Sequence, residues 1–393
     1  MGHCSPGFTE VARALGGIDC AHAKAIVSVR NPFGLTNWTM PVVETLMIVG
    51  AVVSLVHAVL WWRRRRDPTN LALWFACVVY VLILEPPLYF PDTFGMQDQV
   101  GLVFVHNLFS VQFMYDRLPL YILAIYPALT YLVYAIVQRT GVLERRNALV
   151  GAACVAFVFH CFYEIFDHLG PQLQWWAWNP NAPSNTPWLR SVPLTSAVTF
   201  AGAAPFGIAL LTRLLIARRA ARGPVPGWSM LLRTVGVAVL TPLTMVIFSI
   251  PVGVFSRGDH PNVTGETFVL WIEIAIIAAV ALTAFGRIAQ HQRRDPASTP
   301  SGAGAFLERY SVAGGAVYLL VFAVLWVAAL PAYRDATDGR TPAGTPIGSL
   351  AYVIGCAVVC LGVLGLIHRQ RRTSAYAGDH AGLRSYTAEK RHS

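Results

Sequence analysis

Residues 41–66 read PVVETLMIVGAVVSLVHAVLWWRRRR, and this stretch decides the fold class. An apolar run is followed without a break by Trp61, Trp62 and four arginines, Arg63 to Arg66. About 20 apolar residues are what a bilayer-crossing helix needs. Tryptophan favours the membrane interface, and arginine stays on the cytoplasmic side. Eight further runs of this kind follow, at 71–89, 117–138, 147–167, 191–217, 230–255, 267–287, 311–331 and 347–368. Lipid offers the backbone no hydrogen-bond partner, so each is expected to be helical.

Every second loop repeats the arginine cluster. Arg139, Arg145 and Arg146 follow the third run, and Arg213, Arg218, Arg219 and Arg222 the fifth. Arg287, Arg293 and Arg294 follow the seventh, and Arg369, Arg371 and Arg372 the ninth. This alternation predicts an all-α polytopic membrane bundle of about nine transmembrane helices, with the N-terminus outside and the C-terminus cytoplasmic. A bacterial-type plasma membrane is the expected location.

Composition agrees. The 393 residues are 55% hydrophobic and 13% charged, against about 25% charged in soluble proteins. The net charge of +10 is concentrated in the arginine-rich loops. Its expected partner is membrane lipid rather than nucleic acid. The organisation reads as an extracytoplasmic segment (1–40), a seven-span core (41–287), a cytoplasmic linker rich in Ser, Pro, Ala and Gly (288–310), a two-span hairpin (311–368) and a disordered cytoplasmic tail (369–393). Residues 1–40 lack a basic start, an apolar stretch and a cleavage site, so the first span is expected to act as the insertion signal. Cys4 and Cys20 lie in that outer segment, where an oxidising compartment permits a disulfide. Cys77, Cys154, Cys161, Cys356 and Cys360 read as small core residues.

Two outer segments stand out. Gly101 to Met114 is apolar but too short to span, and carries His106 and Asn107; an interfacial or re-entrant segment is expected. The loop from Gly170 to Leu189 contains Trp175, Trp176, Trp178 and Trp188, which suits either a lid folded onto the membrane surface or an aromatic interface belt. A weak internal repeat links them. Glu85, an aromatic loop, Arg117-Leu-Pro-Leu and a mid-helix Pro127 correspond to Glu164, the tryptophan loop, Arg190-Ser-Val-Pro-Leu and Pro205. Such a repeat would be parallel.

Acidic residues inside spans are costly, about 2.5–3.5 kcal/mol for an Asp at a helix centre on insertion scales. Glu44, Glu85, Glu164 and Glu273 all fall in the outer halves of their spans. Around Glu164 the chain reads His160-Cys-Phe-Tyr-Glu164-Ile-Phe-Asp167-His168, which sets His160, Glu164, Asp167 and His168 on one helix face. Such a stripe is expected to face the bundle or a wet cavity. Two chemistries fit it. Glu164 can serve as a general acid with His160 or His168 as relay. Alternatively His160, Glu164 and His168, joined by His106, have a donor set suited to zinc or iron. The histidine boxes of membrane desaturases are absent, and neither a metal nor a cofactor is expected. Arg117 and Arg190, at the outer mouths of spans three and five, fit a clamp for phosphate or carboxylate. They equally fit structural ion pairs, with Asp116 and Asp167 as partners. No phosphate-binding glycine loop and no GxSxG elbow occurs.

Residues 145–215 resemble the polytopic carotenoid hydratases and, more distantly, small membrane terpene cyclases. The matching residues are Tyr163-Glu164, the loop through Trp175, Trp176 and Trp178, and Ser191-Val-Pro-Leu. The resemblance implies a carboxylic acid, Glu164 with Glu85 as its counterpart, that protonates an isoprenoid double bond. Aromatic faces such as Trp176 and Tyr163 would stabilise the cation. The expected substrate is an apolar small molecule held by Tyr163, Trp175, Trp176, Trp178, Arg117, Arg190 and Glu273. The residues leave three classes open: an acid-catalysed hydratase or cyclase on a lipid, a proton-coupled transporter or lipid-handling protein, and a structural subunit.

Overall fold

The computed structural model describes residues 4–19, 21–256, 261–294 and 305–368. Among them are nine helices long and apolar enough to cross a membrane: Thr39–Arg65, Thr69–Tyr89, Leu120–Arg139, Ala148–Asp167, Leu194–Ala220, Gly227–Gly253, Val263–His291, Arg309–Arg334 and Leu350–His368. The protein is a multi-pass, predominantly helical integral membrane protein. These nine helices are spans one to nine below.

Local chemistry sets the span ends. Span one stops where Arg66 turns left-handed (φ 56°) and its N–H closes on the Trp62 carbonyl. Asp67 then accepts from the Thr69 backbone N–H (3.0 Å) at the start of span two. Asn147 caps span four by accepting from the Val150 N–H (2.9 Å), a preferred residue at that position.

Spans three and four form the centre. In their most apolar windows 89% and 83% of residues are buried, against 17% in span six. Costly polar groups are therefore expected on these two, where protein rather than lipid surrounds them. Span one packs against two and three, span two against six, and span four against five and seven.

The connections at one end of the bundle build a cap that includes short strands, an addition to the all-helical expectation. β1 (Val27–Val29), β3 (Val111–Phe113) and β4 (Leu118–Pro119) form one antiparallel sheet. β2 (Phe104–His106) pairs with β5 (Trp176–Trp178), with His106 opposite Trp176. β6 (Trp188–Leu189) and β7 (Val192–Pro193) make a hairpin. The short helix Pro6–Ala12 buries Phe8 and Val11 against Leu102 and Val105. The stretch 101–114 thus contains two short strands. β2 finds its partner in β5, 70 residues or more away, a pairing that hydropathy does not encode.

The two halves of the expected repeat share an element order. Each has a span, a strand of the β2–β5 ladder, a two-residue strand ending in proline, a short helix, a π-turn and a longer helix. The π-turns are Tyr126–Thr130 in span three and Thr199–Ala203 in span five. Pro127 lies inside the first and Pro205 just after the second, consistent with a proline that cannot complete the α-helical ladder.

Helix enters the expected linker from both sides. One runs to Arg294 and the next starts at Ala305. Residues 295–304, the tail 369–393 and Cys20 lie outside the described residues. Cys4 is disulfide-bonded, and Cys77, Cys154, Cys161, Cys356 and Cys360 are free and buried.

Candidate functional site

Under the cap, the ends of spans two and four meet the π-turns of spans three and five around one cavity. Its walls include Glu85, Phe104, His106, Tyr126, Tyr163, Phe166, Asp167, Trp176, Trp178 and Phe200. The two acids come from topologically equivalent span ends. Tyr126 and Phe200 come from the two π-turns, and His106, Trp176 and Trp178 from the β2–β5 ladder. π-turns in spans are frequent at functional sites. At about 30 Å³ the cavity holds one or two waters.

Five polar atoms of these walls form no hydrogen bond with the protein. Glu85 Oε2, Asp167 Oδ1, His106 Nε2, Trp176 Nε1 and Trp178 Nε1 are buried without a hydrogen bond. Buried polar atoms are ordinarily paired, so five orphans around one cavity mark a place for water or a polar ligand. The set offers indole donors and carboxyl acceptors together. Asp167 is oriented by Ser196, whose hydroxyl donates to Oδ2 (3.3 Å). His106 Nδ1 lies 3.1 Å from the Tyr121 hydroxyl. Burial pushes His106 down to about 3, so its ring is neutral at physiological pH. Trp176 is seated by Gly170: a Cβ there would stand 2.0 Å from the indole ring.

The acid of the central stripe faces elsewhere. Glu164 is fully buried and does not line this cavity. It lies 3.4 Å from His168 Nε2, and neither of its oxygens has a hydrogen-bond partner. The Ser349 backbone N–H donates to His168 Nδ1 (3.3 Å), which leaves the proton on Nε2. His160 donates from Nδ1 to the Ala197 carbonyl (3.1 Å) and accepts at Nε2 from Tyr352 (2.6 Å). His160 and His168 therefore tie span four to span nine and its entrance.

The remaining candidates are dispersed. Glu44 is buried and accepts from the Ser110 and Val111 backbone N–H groups, both at 3.3 Å; it pegs β3 to span one. Glu273 is half-buried in span seven. Trp175 is fully buried and donates to Thr39 (2.9 Å). Arg117 is sandwiched in the cap, its guanidinium 4.0 Å from the Phe8 ring and 4.7 Å from Phe90. It donates to the Tyr89 carbonyl (3.1 Å), and burial pushes it down to about 10. Asp116 pairs with Arg30 (2.5 Å) rather than with adjacent Arg117. Arg190 is exposed in a left-handed turn (φ 60°), and the hydrogen bond to Asp167 comes from Ser196. Among the described residues no group of three or more His, Cys, Asp or Glu is arranged to hold a metal ion.

Sequence reasoning missed Tyr126 and Phe200 as wall residues, and Ser196 as the group that orients Asp167. For Tyr126 the usable signal is Pro127, which perturbs the span beside it. Ser196 carries no such signal.

Residues 33–333 match a family described as a domain of unknown function, DUF7802, and the chain belongs to that family. No curated protein and no solved structure matches the chain. The matched stretch contains every wall residue of the cavity; span nine, with Tyr352, lies beyond it.

Proposed function

We propose that this protein is a membrane enzyme that performs acid-catalysed hydration or cyclisation on the reacting end of an isoprenoid or other lipid. The reading rests on one observation: five unpartnered polar atoms, two of them carboxyl oxygens, surround a water-sized cavity with aromatic walls. Glu85 in its acid form gives a proton to one alkene carbon, and the adjacent carbon becomes a cation. The faces of Trp176, Trp178 and Tyr163 stabilise that cation. In hydration, a cavity water adds its oxygen to the cation and passes a proton to Asp167, whose other oxygen Ser196 holds in place. The net change is one water added across the double bond. In cyclisation an internal alkene attacks the cation instead, and the new cation formed on the ring loses a proton from its neighbouring carbon to Asp167, restoring a double bond. Neutral His106 orients the water and carries no charge itself.

In this reading the cap lies outside the cell, and a disulfide-bonded Cys4 beside five free cysteines within the spans supports that orientation. Half-buried Tyr163, Trp178 and Phe200 form the wall a substrate displaces on entry.

The test compares lipid extracts of cells that carry the wild type, Glu85→Gln, Asp167→Asn or no protein. Expected is a hydrated or cyclised lipid that disappears in both variants while protein abundance holds. Identical lipid profiles with and without the protein would refute the reading. The π-turns in spans three and five favour a second reading, a proton-coupled carrier with broken spans. A carrier bearing Glu85→Gln keeps substrate exchange and loses coupled uptake, without any new product.

A further inference from the structure

A second site lies at the arginine-rich ends of spans four and seven, away from the capped cavity. Arg145, Arg146 and Asn147 precede span four, and Val150 begins it; Ala279, Val280, Thr283, Ala284 and Arg287 come from span seven. Together they enclose a notch of about 550 Å³. On span seven the residues 279/280, 283/284 and 287 recur every four positions, which places them on one face. That face is apolar or hydroxylic until it meets Arg287 at the arginine-rich end. Small Ala279 and Ala284 keep the notch open.

The charge is one-sided. Three arginines line the notch without an acid among the lining residues. Arg213 stands behind them, donating to the Arg146 carbonyl (3.3 Å), with its Nη1 buried and without a hydrogen bond. Arg146 Nε is likewise buried and unpartnered. Glu144 is in electrostatic reach of Arg145, Arg213 and Asp67, so four arginines stand against two carboxylates. The capped N-terminus of span four adds its positive dipole end.

We propose that this notch binds the phosphate headgroup of an anionic membrane phospholipid, with an acyl chain along Val150, Ala279 and Val280. A planar guanidinium binds a phosphate through two parallel hydrogen bonds. Basic pockets between spans are a recurring lipid-headgroup geometry. The apolar-to-cationic order along span seven matches a phospholipid from tail to head.

The test uses the full-length protein in nanodiscs of phosphatidylcholine with increasing phosphatidylglycerol, reading lipid retained after extraction by native mass spectrometry. Phosphatidylglycerol is expected to be retained in preference to phosphatidylcholine. Each arginine near a membrane surface is worth roughly five-fold in affinity, so Arg145→Ala with Arg287→Ala should weaken retention roughly thirty-fold. The doubly Lys-substituted protein should keep most of it. Both side chains are exposed, so folding is expected to survive; if the double variant fails to fold, Arg287→Gln alone decides, with a roughly five-fold loss. Equal retention of the two lipids, or an unchanged double variant, would overturn the proposal. Inorganic phosphate that stabilises lipid-free protein as strongly as phosphatidylglycerol would overturn the lipid source.

Discussion

His106 offers a prediction whose size follows from its surroundings. The ring is 5% exposed, touches the Tyr121 hydroxyl through Nδ1 (3.1 Å) and is pushed by burial from 6.5 down to about 3. The unfolded chain therefore takes up the proton first as pH falls. The native state is favoured fully above pH 6.5, and that advantage shrinks continuously from 6.5 toward 3. At pH 5 the loss is about 1.5 pH units at 1.36 kcal/mol each, or about 2 kcal/mol relative to pH 8. His106→Gln is neutral throughout and lacks this slope. The assay is thermal unfolding in detergent at pH 8 and pH 5, for wild type and variant. Other titrating groups contribute equally to both proteins, so the difference between the two pH responses isolates His106. Wild type should lose about 2 kcal/mol more than the variant, a shift of a few degrees in midpoint. Parallel pH responses would refute the reasoning. They would mean that the folded ring titrates like the unfolded one. Only a wild type that loses less than the variant would mean that a carboxylate at Glu85 or Asp167 holds the ring charged, and would remove the neutral imidazole from the proposed mechanism.

Three further outcomes follow from single contacts. Glu44→Gln weakens the acceptor of the Ser110 and Val111 N–H groups and should cost about 1–2 kcal/mol, visible as faster amide exchange in 110–113 by mass spectrometry. Gly170→Ala places a methyl in the Trp176 ring; overpacking of this kind costs about 1–3 kcal/mol, and a shift in tryptophan emission should accompany loss of the lipid product. Arg30→Met leaves buried Asp116 without its cation. Because Arg30 is 26% exposed, the cost should be about 2 kcal/mol rather than the 3–5 of a fully buried pair, read as a lower unfolding midpoint.

The chain alone determined the nine spans, with ends within a few residues of the helices: 71–89 against Thr69–Tyr89, and 147–167 against Ala148–Asp167. Hydrocarbon demands about 20 consecutive apolar residues and internal backbone pairing, and both are written in contiguous sequence. The same local logic located the acids, the tryptophan loop and the Pro127 irregularity. Tertiary structure alone decided which acids meet. Asp167 and Glu164 are three residues apart on one helix face, yet the first lines the capped cavity with Glu85 while the second is turned toward His168 and span nine. Periodicity places a residue on a face to within about one turn, and that angle is wide enough to hold two different neighbours. Glu44 looked like a fourth member of the site until β3 supplied its backbone donors, and His106 reaches the cavity because β2 pairs with β5 across 70 residues. Pairings of that kind depend on where distant segments settle after the spans have packed, and no local pattern of apolar and polar residues carries them.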